Sequence, residues 1–258
     1  MGLFDDWCDC VKETERRKTY LGLGEKAGGR DGVKCHLART VRSHYDALER
    51  IADDIERLGY ASASNILRER LPRSARARSG ELGEILATEL AEEMLGFNVP
   101  VRRLRYKDGR EMAMRGDDFI GVGYDSEGNL WLLKGESKSR ASLTKAVIAE
   151  ARGALDRDHG RCTPSSLLFV ADRLLDGDED DIELGRTIRK EIGQKAPRPN
   201  RIDHAIFTFS GNAAHAALKE DLDGADGRRR QTVANLRIRD HQDFIAEIYE
   251  EAGTLGND

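Results

Sequence analysis

Arg115-Gly116-Asp117-Asp118-Phe119-Ile120-Gly121 and Leu133-Lys134-Gly135-Glu136-Ser137-Lys138 are the two stretches on which the fold of this sequence turns. The first opens a strand. The second closes one, after the apolar run Leu130-Trp131-Leu132-Leu133. Residues two apart on a strand share a face, so Glu136 and Lys138 project together. A neighbouring strand can bring Asp118 beside them. Asp117 competes for the same role, because a register slip of one residue exchanges the two aspartates.

Of the 11 lysines, only Lys138 has an acid two positions before it. Two carboxylates with a backbone carbonyl suit a hard cation such as Mg²⁺, which keeps several waters. Such an ion acidifies a bound water and polarises a phosphoryl oxygen. A lysine two positions from the ligand can orient that water or offset charge on the phosphate. The bland alternative is a solvent-facing Glu/Lys pair at a strand end. A third acid lies upstream in Gly80-Glu81-Leu82-Gly83-Glu84-Ile85-Leu86. This stretch begins a helix that starts near Ser79 and stops at Gly96, with Leu82, Ile85, Leu86, Leu90 and Met94 on one face. Glu84 sits one turn into it.

Outward from these segments, the pattern predicts a meander of three strands, Val99–Tyr106, Glu111–Tyr124 with a break at Arg115-Gly116, and Asn129–Lys138. Helices follow over Ser142–Arg157, Thr163–Leu175 and Ile182–Ile192. A proline-bearing linker covers Ala196–Asn200. Strands at His204–Phe209 and Thr232–Arg239 flank a polar loop over Asp221–Arg230, and Gln242–Glu251 closes as a helix. Upstream, a short helix is expected near Trp7–Lys18, one long helix over Lys34–Leu58 and another over Ala63–Leu71. The order gives an α/β core, residues 78–258, preceded by a helical N-terminal extension, residues 1–77. The arginines between Arg68 and Arg78 read as a linker or as a phosphate-facing edge. Arg102, Arg103, Arg105 and Arg110 offer phosphate contacts or pair with the many acids.

Composition sets the outer limits. The chain has 258 residues, 39% hydrophobic and 34% charged, with net charge −5 from 42 basic and 47 acidic residues. That is enough chain for a full core. No apolar run approaches the ~18 residues of a membrane span, and no apolar segment follows Met1 as a secretory signal requires, so a cytoplasmic protein is expected. Basic residues divide into 31 Arg and 11 Lys. Cys8, Cys10, Cys35 and Cys162 fit no zinc spacing, and the six histidines form no HExxH. Leu21-Gly22-Leu23-Gly24 is no nucleotide fingerprint, and Asp176–Asp181 lacks the glutamate of a calcium loop.

Taken together, the helix with Gly-x-x-Gly-Glu, the Gly-x-Asp-x-Ile-Gly strand, the Gly-Glu-x-Lys strand and the helix after it resemble the PD-(D/E)xK nuclease superfamily. More narrowly, they resemble the HamA-like nuclease family of Hachiman antiphage defence, related to AbpA. The similarity is strongest over residues 78–175. It implies a restriction-endonuclease-like three-layer α/β/α core with a mixed sheet. It implies Glu84, Asp118, Glu136 and Lys138 as catalytic residues, with Asp118, Glu136 and Glu84 around Mg²⁺ (or Mn²⁺). It also implies DNA as substrate and a superfamily-2, HamB-like helicase as the partner that releases the nuclease. Two departures stand out. The first acidic motif lacks the nominal proline, and the helix after Lys138 offers Lys145 and Glu150 where related nucleases carry a glutamine. A non-catalytic subunit of a helicase complex and an RNA nuclease on the same scaffold remain the alternative functions.

Overall fold

In the computed structural model, which describes residues 2–194 and 199–255, the chain opens with a short helix, α1 (Leu3–Trp7). It runs directly into a hairpin, β1 (Cys8–Glu15) and β2 (Lys18–Glu25). The helix expected near Trp7–Lys18 is therefore a strand and a turn. The segment has no apolar stripe for a helix to bury, while Val11, Thr14, Thr19 and Tyr20 favour extended backbone. Only Cys8 of β1 is buried, as befits a charged edge strand.

Next come α2 (Gly29–Tyr45), α3 (Leu48–Leu58) and α4 (Tyr60–Arg70). The single helix expected over Lys34–Leu58 breaks at Asp46-Ala47, where both residues are extended. Asp46 is buried and ion-paired to Arg50 at 3.0 Å and Arg70 at 2.9 Å. Its Oδ1 also accepts the Ala47 N–H. A short acidic side chain that bonds the next backbone N–H competes with the helix for it.

The long helix α5 (Ala75–Leu95) starts on a Ser74 cap and ends on Gly96 in the left-handed region. Leu82, Ile85, Leu86 and Leu90 are buried, as their spacing predicts. The strand expected over Val99–Tyr106 is absent. In its place are one bridge, Asn98 to Val122, and a 3-10 turn at Arg103–Tyr106. The arginines here turn inward rather than alternate. Arg102 pairs with Glu92 at 2.6 Å, and Arg103 donates to the carbonyls of Arg115, Asp117 and Asp118. The following strand, β3 (Phe119–Tyr124), begins at Phe119 rather than Glu111. With β4 (Leu130–Arg140) it reduces the expected meander to one hairpin.

The rest keeps close to expectation: α6 (Lys145–Asp156) on a Thr144 cap, α7 (Pro164–Leu174), α8 (Glu179–Gly193) on an Asp178 cap, and β5 (Ile202–Ser210), buried along its whole length. Residues 196–198 of the proline-bearing linker lie outside the described residues. A helix, α9 (His215–Gly224), takes the first part of the polar loop expected over Asp221–Arg230. Then come β6 (Gln231–Arg237) and α10 (His241–Ala252).

The six strands form one mixed sheet in the order β1-β2-β6-β5-β4-β3. The inner pairs β2–β6, β6–β5 and β5–β4 are parallel, and the two outer pairs are antiparallel. One face carries α1, α2, α5 and α10 over a core that includes Trp7, Leu37, Leu82, Phe207 and Phe244. The other carries α7 and α8 over Ile120, Leu132 and Ile202, with α6 and α9 over Ile206 and Val233. This is a three-layer α/β/α architecture. The first 25 residues belong to it: β2 is hydrogen-bonded inside the sheet, and Trp7 stacks on Phe244 at 5.3 Å.

Candidate active site

The β3–β4 hairpin, α5 and α6 place the four candidate residues. On β4, odd-numbered side chains face α5 and even-numbered ones face α6. Glu136 and Lys138 accordingly lie on the α6 face, and the Lys138 Nζ is 2.8 Å from Glu136 Oε1. The ladder between β3 and β4 ends at Phe119 opposite Gly135. One step beyond, the Asp118 carboxylate supplies the next rung, accepting the Ser137 N–H at 2.8 Å. Asp118 thereby sits at the sheet margin, within electrostatic reach of Glu136 and Lys138 and of Glu84 on the α5 side.

Two motif glycines have a steric reason to be there. A Cβ on Gly83 would lie 3.0 Å from Ser137 Oγ and 3.1 Å from Ser139 Cβ, so its absence lets α5 lie close on β4 beside Glu84. A Cβ on Gly135 would lie 2.0 Å from the Phe119 ring. That ring packs across the strand just where the two acids approach.

The two competing aspartates separate cleanly. Asp117 is buried, and its carboxylate accepts the Thr163 N–H at 2.7 Å and the Thr163 hydroxyl at 3.0 Å. Lys134 stands 3.6 Å away, and the Asp117 N–H donates to Ser166 Oγ. Asp117 thus pins the start of α7 to the sheet. Asp118 is the one turned toward Glu84 and Glu136.

The electrostatics are those of crowded acids. Burial, then the neighbouring Asp118, pushes the Glu136 carboxyl up to about 7. Burial raises Asp118 too, against the pull of the Ser137 N–H and of Lys138. Burial and the Asp118 charge hold Glu84 well above the usual carboxylate range. Burial disfavours the Lys138 ammonium, but Glu136 and Glu150 outweigh it and keep the group firmly charged.

Several neighbours escaped the sequence reading. Glu150 on α6, which the sequence offered where related nucleases carry a glutamine, holds Lys138 from the far side at 3.1 Å; its pairing with the lysine is what the sequence did not show. Arg103, expected to meet solvent or phosphate, instead ties down the loop that carries both aspartates. Glu81, one turn before Glu84, is not an exposed helix-start acid. It is buried, accepts the Tyr45 hydroxyl at 2.5 Å and is ion-paired to Lys107. Arg102, Arg105 and Arg110 are likewise spent on the protein's own groups, Glu92, the Ser43 carbonyl and Glu69. A cleft of about 370 Å³ opens beside Glu81 and Glu84, with Arg76 and Arg140 on its walls. A larger one, about 640 Å³, lies elsewhere, between α4 and α10.

The donor set suits a hard divalent cation. The Asp118 charge raises the proton affinity of Glu136, so a positive ion there would relieve an excess of negative charge. Among the described residues no group of three or more His, Cys, Asp or Glu side chains is placed to hold a metal ion. Two carboxylates plus carbonyl and water is the commoner arrangement for Mg²⁺.

Fold and site together define an α/β/α protein with an acid–acid–lysine cluster at the margin of its sheet. The HamA family model matches residues 1–252, and the chain belongs to that family. The Hachiman protein HamA of Bacillus cereus is 33% identical over 160 residues, 60% of this chain and 53% of that protein. The chain thus spans about half the length of this curated relative. Among the described residues no helix is long and apolar enough to cross a membrane.

Proposed function

We propose that this chain is a divalent-metal-dependent DNA nuclease, the cleaving subunit of an antiphage defence system, restrained and released by a superfamily-2 helicase partner. The reading is supported by membership of the HamA family, by the Hachiman name of its Bacillus cereus relative and by the resemblance to PD-(D/E)xK nucleases. The observation that carries it is the convergence of Asp118, Glu136 and Lys138 on one sheet margin, with Glu84 behind them.

In this reading Asp118 and Glu136 hold Mg²⁺ or Mn²⁺, whose chemistry is to polarise the phosphoryl oxygen and acidify water. The Lys138 ammonium then orients the attacking water or offsets charge gathering on the phosphate. Glu150 keeps the flexible lysine stem aimed. Glu84 supports the acids from α5, and Arg76 and Arg140 on the cleft wall steer the backbone phosphates. The Lys138–Glu136 ion pair describes a resting site, because Glu136 must leave it to ligate an ion.

A plasmid-nicking assay in Mg²⁺ or EDTA, with and without the helicase, tests the proposal. Glu136→Ala and Lys138→Ala should abolish cleavage while leaving the circular dichroism spectrum unchanged. Full activity in both variants would refute it. A matched RNA substrate separates a DNA nuclease from an RNA nuclease.

A further inference from the structure

A second built site lies away from these carboxylates, on the α5 face of the sheet. Five strands present side chains to one face there: Thr14 on β1, Thr19 on β2 and Thr232 on β6 in register, and Asp203 on β5 with Leu133 on β4 two residues along from the Ala205 that pairs with Thr232. They floor a cleft of about 420 Å³, walled by Phe97 and the C-terminal end of α5. Leu133 and Glu136 face opposite sides of β4, so the cleft is separate from the candidate active site.

Asp203 is the unusual member. It is only 6% exposed, lines the cleft, and its Oδ1 has no hydrogen-bond partner among the described residues. The Trp131 indole N–H approaches it without reaching hydrogen-bonding geometry, and its Nε1 is likewise buried without a partner. Burial pushes the Asp203 carboxyl up to about 6, against the pull of Trp131, Arg230 and Arg17. A buried carboxylate oxygen left unmatched costs free energy unless something donates to it.

The rim is cationic: Lys12, Arg16, Arg17 and Arg230. Arg17 spends one N–H on the Arg228 carbonyl. Arg230 lies over the Trp131 ring at 5.1 Å, and its guanidinium makes no hydrogen bond or ion pair among the described residues. Arg16 makes none either, and it occupies the left-handed region, φ 54°, in the two-residue turn of the N-terminal hairpin. Glycine or asparagine is the easy choice there, so an arginine at that place is held at some cost in backbone strain.

An acid floor, an apolar wall and a rim of guanidiniums together call for a ligand with N–H donors on a flat apolar body and an anionic end. We propose that this cleft binds a guanine nucleotide, its N1–H and exocyclic amine donating to Asp203 and its phosphates resting on Arg16 and Arg230. Guanine fits better than adenine because it offers one carboxylate two adjacent donors. Phosphates suit the forked guanidiniums. The same chemistry is present in a free nucleotide and in the terminal guanosine of a nucleic-acid strand.

Titration calorimetry of the full chain in EDTA tests this, with GTP, GDP, ATP, inorganic phosphate and a single-stranded oligonucleotide ending in guanosine as probes. GTP or the oligonucleotide should bind at least about tenfold more tightly than ATP, and the better of the two names the source. Asp203→Asn should erase that preference while keeping phosphate-dependent binding. Arg16→Ala, at an exposed turn that the core does not need, should weaken every phosphate-bearing probe. Equal affinity for GTP and ATP in the wild type, or no binding of any guanine probe at millimolar concentration, would overturn the proposal without using the Asp203 variant. Because cleavage is not read, failure here leaves the nuclease proposal untouched.

Discussion

Replacing Glu136 by glutamine is expected to stabilise the metal-free protein at alkaline pH. Glu136 is 5% exposed beside Asp118, and its carboxyl is pushed from 4.5 up to about 7. A carboxyl whose pKa rises on folding binds its proton more tightly in the native state than in the unfolded chain. The resulting stability is complete below pH 4.5 and is lost as the pH climbs through 7. At about 1.4 kcal/mol per pKa unit, the loss reaches about 3 kcal/mol by pH 8. Glutamine has the same shape and cannot ionise, so it retains what the glutamate loses, less the ion pair with Lys138. A gain of about 2–3 kcal/mol at pH 8 corresponds to a rise in Tm of roughly 4–10 °C for a chain of this size. By pH 5 the difference should fall below about 1 kcal/mol. Thermal unfolding in EDTA at both pH values measures it directly. A variant no more stable than wild type at pH 8, or a difference that does not change with pH, would refute the electrostatic account of the site. Added Mg²⁺ should raise the Tm of the wild type and leave the variant unmoved.

The remaining predictions concern single contacts. Asp117→Ala strands the Thr163 N–H and leaves Lys134 buried without its neighbouring charge; it should cost about 3 kcal/mol in urea unfolding, whereas Asp118→Asn should keep its stability and lose cleavage. Glu150→Ala removes a carboxylate that is 64% exposed, so it should lower kcat severalfold with an unchanged Tm, and Glu150→Gln should restore part of the rate. Gly135→Ala forces a methyl group into the Phe119 ring and should destabilise by about 2 kcal/mol, detected as a shifted urea midpoint. Trp7→Ala empties a fully buried site against Phe244 and should cost about 3–5 kcal/mol, a loss that a dispensable N-terminal segment would not show.

What the sequence revealed divides along the length scale of the interactions. Residues on one short element were legible: the apolar stripe of α5, the approximate extents of α6, α7 and α10, and the shared face of Glu136 and Lys138 all follow from local periodicity. Gly83 and Glu84 were legible as a motif, although the reason for Gly83, contact with Ser137 and Ser139, needs the packed sheet. Features set by distant partners were hidden. β1 read as a helix because a charged edge strand shows little alternation, and β2 was not read as a strand; what holds them in the sheet is β6, more than 200 residues away. Asp46 breaks a helix because Arg70 reaches back to it. Arg103 belongs to the site through three backbone carbonyls, which no side-chain pattern records. The motif pointed to Asp118 with Asp117 one register slip away, and the Thr163 contacts show what occupies Asp117.

The placement of β2 between β1 and β6 has a consequence for how the molecule is made. The hairpin of β3 and β4, the α6 crossover and β5 come from contiguous chain, so the acid cluster can assemble early from local contacts. The sheet cannot close until residues 18–24 find residues 231–237. Until then β6, paired with β5 on one side, carries an open edge on the other, and the N-terminal hairpin is orphaned. Pairings so far apart in sequence are slow to form. A protein built this way can bring its acid cluster together before its fold is finished, and a partner that engages it during synthesis would meet that half-closed state first.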